Sequence, residues 1–280
     1  MPVDIMLAIL FGAALHATWN AFVRSAPNKF MDTVLVLVGM GFWAGCLLPF
    51  APLPDAASWP YLTASVAIHV AYFALVVITY RYAELSFAYP IMRGVAPAFS
   101  AVFAAYLLQE SPSFVGWIGV FLISGGVVLL SLDALRLGSL NPRSFLFALS
   151  NAGVIVVYTL VDGVGVRLSG NAMSYIGWVF FLPVVPIFVT LLVRRRGPTA
   201  RYALQHVVRG LIGGACILGS YGIALWAMTR APIALVAALR ETSVLFAMVI
   251  AALFLAEQIS RWRFVSILAI CAGAIAIKLS

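Results

Sequence analysis

From its first residue the chain alternates long apolar stretches with short punctuation of proline, glycine and charge. Ten stretches approach the roughly 20 residues that an α-helix needs to cross a bilayer. They fall at about 4–24, 31–50, 60–81, 86–108, 113–132, 143–166, 172–193, 204–228, 232–255 and 261–279.

One part of the pattern occurs twice. Residues 83–110 read AELSFAYPIMRGVAPAFSAVFAAYLLQE and residues 230–257 read RAPIALVAALRETSVLFAMVIAALFLAE. Overlaid without a gap, Arg93 falls on Arg240 and Glu110 on Glu257, and the extension beyond them puts Gly126 on Gly273. The fourth stretch thus corresponds to the ninth and the fifth to the tenth. Five is odd, so the second copy enters the membrane from the opposite side. The predicted fold is an all-α polytopic membrane protein of ten transmembrane helices, built as two inverted five-helix repeats over 1–137 and 138–280.

Composition agrees with the pattern. Of 280 residues, 64% are apolar and 9% charged, with a mean hydropathy of +1.09, which is too little polar surface to coat a soluble globule of this length. The net charge of +8 does not point to nucleic acid, because the basic residues sit in short loops where membrane topology accounts for them. Cys46, Cys216 and Cys271 lie singly inside apolar runs and read as small core residues. No metal site, cofactor or P-loop is expected, so ATP does not drive the protein directly. The first stretch lacks a basic leader and is expected to be retained as a span.

Basic residues also orient the chain. With the N-terminus outside, the cytoplasmic loops carry Arg24, Lys29, Arg81, Arg136, Arg143, Arg194, Arg195, Arg196, Arg201, Arg209, Arg261 and Arg263, against Arg167, Arg230 and Lys278 on the other face. The positive-inside rule then predicts extracytoplasmic termini in a bacterial-type inner (plasma) membrane.

The first stretch reads ALHATWNAFVR and the fourth opens SFAYPIMRG. With ten spans and the repeat, the sequence resembles the drug/metabolite transporter superfamily, EamA-like branch, across essentially its whole length. That resemblance implies transport of small metabolites without naming one. The His-Ala-x-Trp-Asn segment is also similar to a subgroup of bacterial permeases, some associated with phosphonate use.

An arginine inside an apolar helix is costly and usually faces a protein interior or a wet cavity. Arg93 and Arg240 are therefore the leading substrate-binding candidates, because the guanidinium fork matches carboxylate or phosphate. Arg93 is expected in the inner half of a cavity and Arg240 in the outer half. The competing reading is that each arginine neutralises a nearby acid. Asp162 is expected to pair with Arg240, and Asp162 or Glu241 to act as an ion-pair partner or a proton-coupling group. His16, Trp19 and Asn20 share a region of the first stretch and are expected to look inward, through interhelical hydrogen bonds or substrate contact. Tyr89 and Tyr158 lie one turn from Arg93 and Asp162 and complete the substrate-binding set, with Tyr72, Tyr221 and Trp226 as further cavity aromatics. Glu110 and Glu257 are expected at the dipole of the following helix. Pro90, Pro97, Pro183, Pro186 and Pro232 are expected to loosen their helices.

These readings converge on a secondary active transporter, a permease or exporter, of a small polar metabolite, amino acid-like or organic-anion/phosphonate-like, working by alternating access. The alternatives are an intramembrane enzyme and a non-transporting membrane sensor or scaffold. Clustered nucleophile, base or metal-ligand patterns are missing from the sequence, so no catalytic residue is assigned. The expected partners are a small-molecule substrate, the lipid bilayer and a coupling proton, in a monomer or homodimer.

Overall fold

The structure is a computed structural model. It describes residues 1–82, 85–135, 142–187, 198–255 and 260–280, with side chains for all of these except 73–74, 76–82, 85–90, 131–135, 142–144, 198–200 and 251–255. The described residues are all-helical in fold, with 86% of them in helices. The helices are α1 (Val3–Arg24), α2 (Lys29–Leu47), α3 (Trp59–Tyr82), α4 (Leu85–Leu107), α5 (Phe114–Leu135), α6 (Pro142–Leu168), α7 (Ala172–Phe181), α8 (Pro198–Gln205), α9 (Val207–Met228), α10 (Ile233–Arg240), α11 (Ser243–Leu255) and α12 (Arg261–Leu279). Among the described residues, six stretches are long and apolar enough to cross a membrane, and shorter apolar helices accompany them.

Local chemistry sets many of the ends. The side chains of Asn28, Asn171 and Ser260 accept from the backbone N–H of Met31, Ser174 and Arg263, capping the starts of α2, α7 and α12. After α6, Gly170 adopts a left-handed φ of +67°, which a side chain would disfavour. The end of α4 is closed by a non-glycine residue, Gln109, at φ 56°, with the Glu110 N–H returning to the Ala104 carbonyl at 3.2 Å.

Two spans differ from the expected continuous helices. The ninth stops at Arg240, turns through i→i−3 bonds over Glu241 and Thr242, and resumes at Ser243. The seventh breaks at Leu182 and Pro183 and resumes over 184–187. In α4 the helix runs through Pro97 without interruption.

Large apolar side chains such as Phe11, Phe50, Phe103, Phe114, Phe121 and Ile275 point outward, while polar groups including Asp162, Asn151 and Arg93 are buried. That inside-out distribution suits a hydrocarbon solvent. Cys216 is buried as expected, but Cys46 and Cys271 are exposed on this outer surface and are not core residues.

In the packing, α1 lies against α9, α10 and α11, and α6 against α3 and α4. Helices α5 and α12 cross antiparallel on small residues. A Cβ on Gly119 would meet the Gly273 carbonyl at 2.8 Å, and one on Gly273 would meet the Gly119 carbonyl at 2.8 Å. About two turns further on, Gly126 faces the Ser266 carbonyl in the same way, at 3.1 Å. Such contacts let backbones approach closely where no hydrophobic force favours one apolar surface over another. The two termini meet: Lys278 Nζ donates to the Met1 carbonyl at 3.0 Å, so both lie on one face.

Candidate functional site

Three ion pairs occur among the described residues, one at each face and one between them. The central pair joins Arg93 Nη2 on α4 to Oε1 of Glu241 at 2.9 Å, with both side chains about 95% buried. Helix α4 carries Arg93 inward because Ile91, Met92 and Ala96 bury around it. Glu241 reaches it because α10 ends one residue earlier, in the tight turn.

Arg240 closes α10, where a cation suits the carbonyl end of the helix. Its guanidinium carbon sits 4.5 Å over the Tyr221 ring, and no carboxylate lies within salt-bridge distance of it among the described residues. The expected Asp162–Arg240 pair is not formed. Asp162 is fully buried and accepts instead from the hydroxyls of Tyr221 at 2.7 Å and Tyr175 at 3.1 Å. Tyr221 therefore stands between acid and base, its hydroxyl on the carboxylate and its ring under the guanidinium.

Both arginines and Glu241 line one crevice, with Ser100, Ile155 and Thr159 completing its wall. Its cavity volume is about 10 Å³, room for no more than a water, so any larger molecule needs the surrounding helices to part. Arg93 and Arg240, expected in the inner and outer halves of a cavity, line the same crevice. The tight turn after Arg240 brings the second arginine and its neighbouring glutamate onto the first.

Tyr158 is buried on α6 within an aromatic cluster. Its ring lies 4.8 Å from His69, 5.7 Å from Tyr72 and 5.8 Å from Tyr221. His69 escaped the sequence reading, although it lies one turn before Tyr72 on the same face of α3. Tyr175 was missed as well; its signal was only a tyrosine four residues after the Asn171 cap. Trp226 lies beneath Arg230 at 4.4 Å, at the end of α9 and away from the crevice.

On α1, which packs against α9, α10 and α11, His16 is half-buried. Among the described residues the bonds of this segment stay within its own helix: Trp19 donates to His16 Nδ1 at 3.4 Å and Asn20 to the His16 carbonyl at 2.8 Å. The Tyr89 side chain and Glu257 lie outside the described residues.

At the terminal face, Glu110 and Arg167 form a two-pronged pair, with Nη2 to Oε2 at 3.3 Å. Arg167 also donates to the carbonyls of Met228 at 2.6 Å and Ala231 at 3.1 Å. Glu110 accepts from the Ile233 N–H at 3.4 Å. It therefore serves the N-terminus of α10, not that of the following α5. At the opposite face, Asp32 pairs with Arg209 at 3.4 Å and accepts from the Tyr202 hydroxyl at 2.7 Å.

Residues 4–132 match the EamA-like transporter family. That family is part of the drug/metabolite transporter superfamily. The chain is a membrane-embedded, multi-pass protein, and members of the EamA-like family are transporters, not enzymes. A solved crystal structure of another protein, 14% identical, superposes with a TM-score of 0.69 over 98% of this chain and 95% of that one; at that identity it speaks for the fold alone. No curated protein matches the sequence.

Proposed function

We propose that this EamA-like protein is a secondary active transporter of a small polar metabolite bearing an anionic group, amino acid-like or organic-anion/phosphonate-like, moved by alternating access around the central crevice. The observation that carries the reading is Arg240. It is a buried cation on the crevice wall, held by an aromatic ring and by no carboxylate among the described residues. A buried charge of this kind calls for a counter-ion, and a substrate carboxylate or phosphonate supplies one.

The inverted five-plus-five architecture is part of the proposal, with halves at 1–137 and 138–280. The reciprocal glycine contacts support it. Shifted by the interval from Arg93 to Arg240, the Gly119–Gly273 contact becomes Gly126–Ser266, which also occurs. The packing of α6 on α3 and α4 is echoed by that of α1 on α9, α10 and α11. The half-helix α10, ending at the site, is a further feature that transporters use at midplane sites. In this reading the two outer ion pairs are the contacts that alternately open, the termini are extracytoplasmic in a bacterial-type inner membrane, and one chain, alone or in a homodimer, holds a complete site.

Thermal stabilisation of the purified protein by amino acids, aminophosphonates, organic acids and organic cations tests the proposal, followed by flux in proteoliposomes with any stabilising compound. A ligand that binds only the native state raises the Tm. Anionic or zwitterionic compounds are expected to stabilise the parent and not Arg240→Ala. Cations acting equally on both proteins would overturn the anion site.

A further inference from the structure

Glu241 and Asp162 are both buried acids near the two arginines, but they are held in opposite ways. Asp162 is clamped by two tyrosine hydroxyls and does not line the crevice. Glu241 lines it, its ion pair is with Arg93, and its Oε2 is buried without a hydrogen-bond partner among the described residues. The Asp162 clamp does not depend on either arginine, whereas the Glu241 charge depends on Arg93 staying where it is.

We infer that Glu241 is the coupling-proton site of this transporter, taking up one proton when the anionic group of the substrate displaces it from Arg93. The inference rests on the transport reading above. The charges balance in both states. In the empty site Arg93 and Glu241 form a neutral pair, while Arg240 and Asp162 engage the ring and the hydroxyl of Tyr221 without touching each other, so the four formal charges sum to zero although Arg240 has no carboxylate in contact. When an anion bridges the two guanidinium groups, Glu241 would be left ionised and buried beside a new negative charge. A proton from the open side of the crevice adds to its carboxylate as the ion pair with Arg93 breaks, and the loaded site is again neutral. Neutrality matters because the site is carried through a medium in which net charge is expensive. A monoanion therefore crosses with one proton, without net charge movement.

The groups facing Glu241 are compatible with this exchange. Arg93 on α4 is paired with it, Arg240 precedes it on its own helix and lines the same crevice, and Tyr158 on α6 packs against Tyr221. Tyr221 on α9 engages Asp162 and Arg240, and His16 lies on α1, which packs against α10. Residues 114–130 of α5 contain no titratable side chain, and in α12 such groups sit near the ends or at the exposed Cys271.

Two measurements on the full-length protein test the inference. Infrared difference spectroscopy needs no ligand. Arg93→Gln leaves Glu241 without its partner, so the C=O stretch of one protonated carboxyl group per chain is expected in that variant and is expected to vanish in Arg93→Gln/Glu241→Gln. Arg93→Met, which keeps an unbranched apolar stem, serves if the glutamine variant does not fold. A band that is missing, or that persists without Glu241, would overturn the assignment. The second measurement is calorimetry with lactate, a monoanion at neutral pH, in buffers of different ionisation enthalpy. Close to one proton taken up per lactate bound by the parent, and close to none by Glu241→Gln, is the expected result. Binding with no proton uptake by the parent overturns the coupling site alone. Failure of lactate and every other anion to bind overturns the transport-site reading, while the infrared experiment still decides whether Glu241 exchanges Arg93 for a proton.

Discussion

Helix α4 runs unbroken through Arg93, whereas α10 stops at Arg240 and turns before α11 begins. The two arginines occupy the same slot of a repeated pattern, yet one is matched to a carboxylate and the other to an aromatic ring. The intact helix contains Pro97, and the interrupted one breaks where there is no proline. The interruption follows instead from Arg-Glu-Thr-Ser. Glu241 gains a partner across the interface, and the Thr242 hydroxyl donates to the Leu239 carbonyl at 2.6 Å. A repeated pattern has thus been put to two uses: Arg93 makes a neutral pair with Glu241, and Arg240 stays clear of carboxylates among the described residues, as the proposed anion site requires.

The largest expected effect breaks the comparison at its paired member. Arg93→Ala leaves Glu241 buried without its cation, a change that costs about 3–5 kcal/mol when the charge persists; proton uptake by Glu241 lowers that cost toward the loss of packing. Arg240→Ala removes a ring contact worth up to about 2 kcal/mol and is expected to destabilise less. It should nevertheless abolish ligand stabilisation. Unfolding of both variants in one detergent, with and without a stabilising ligand, checks the order; equal losses would erase the distinction between the two arginines.

Tyr221 sharpens the comparison, since it serves Asp162 with its hydroxyl and Arg240 with its ring. Tyr221→Phe keeps the ring and deprives Asp162 of one donor, an expected cost of about 1–3 kcal/mol in stability. Its ligand affinity should stay close to the parent's. Tyr221→Leu loses the ring as well and is expected to weaken anion binding by a further factor of about ten, the equivalent of about 1.4 kcal/mol. Titrating both variants with the same anion separates the two duties.

A smaller effect is expected at the turn itself. Thr242→Ala deletes the hydroxyl bond to Leu239 and should cost about 1 kcal/mol; faster hydrogen exchange over 239–245 than over 93–99 of α4 would locate the loss at the interruption. The smallest belongs to the terminal face. Glu110→Gln removes an ion pair that is more than a quarter exposed, so its stability effect is expected within about 1 kcal/mol. The change should show instead as greater labelling of a cysteine placed at Ser111, if this pair holds that face closed.

Much of the architecture was legible in advance. The apolar stretches at 4–24, 86–108 and 261–279 became α1, α4 and α12 within a residue or two, because in lipid a run of apolar side chains of that length has few folds other than a helix that satisfies its own backbone. Arg93, Arg240 and Glu241 could be singled out because charge in such a run is rare and expensive. Their partners could not be read in the same way. The pair was placed at Asp162 and Arg240 on estimated depth, and the observed partners are Glu241 and Arg93, since the turn after Arg240 shifts the second helix relative to the first. His69 and Tyr175 were invisible for a related reason. Neither carries a formal charge inside its stretch, and each gains its place only when α3 and α7 fold against α6.

The sequence by itself determined that this protein lies in a membrane, where its helices run, that one pattern recurs with an arginine in the same slot, and which charged side chains must find company inside. Those follow from transfer energies and helix geometry, which are properties of each segment alone. Only the tertiary structure decided who keeps company with whom: Arg93 with Glu241, Asp162 with two tyrosines, Arg240 with a ring and no acid among the described residues. Pairing depends on crossing geometry and on one tight turn. A displacement of a single helical turn, about 5.4 Å, is enough to exchange one partner for another.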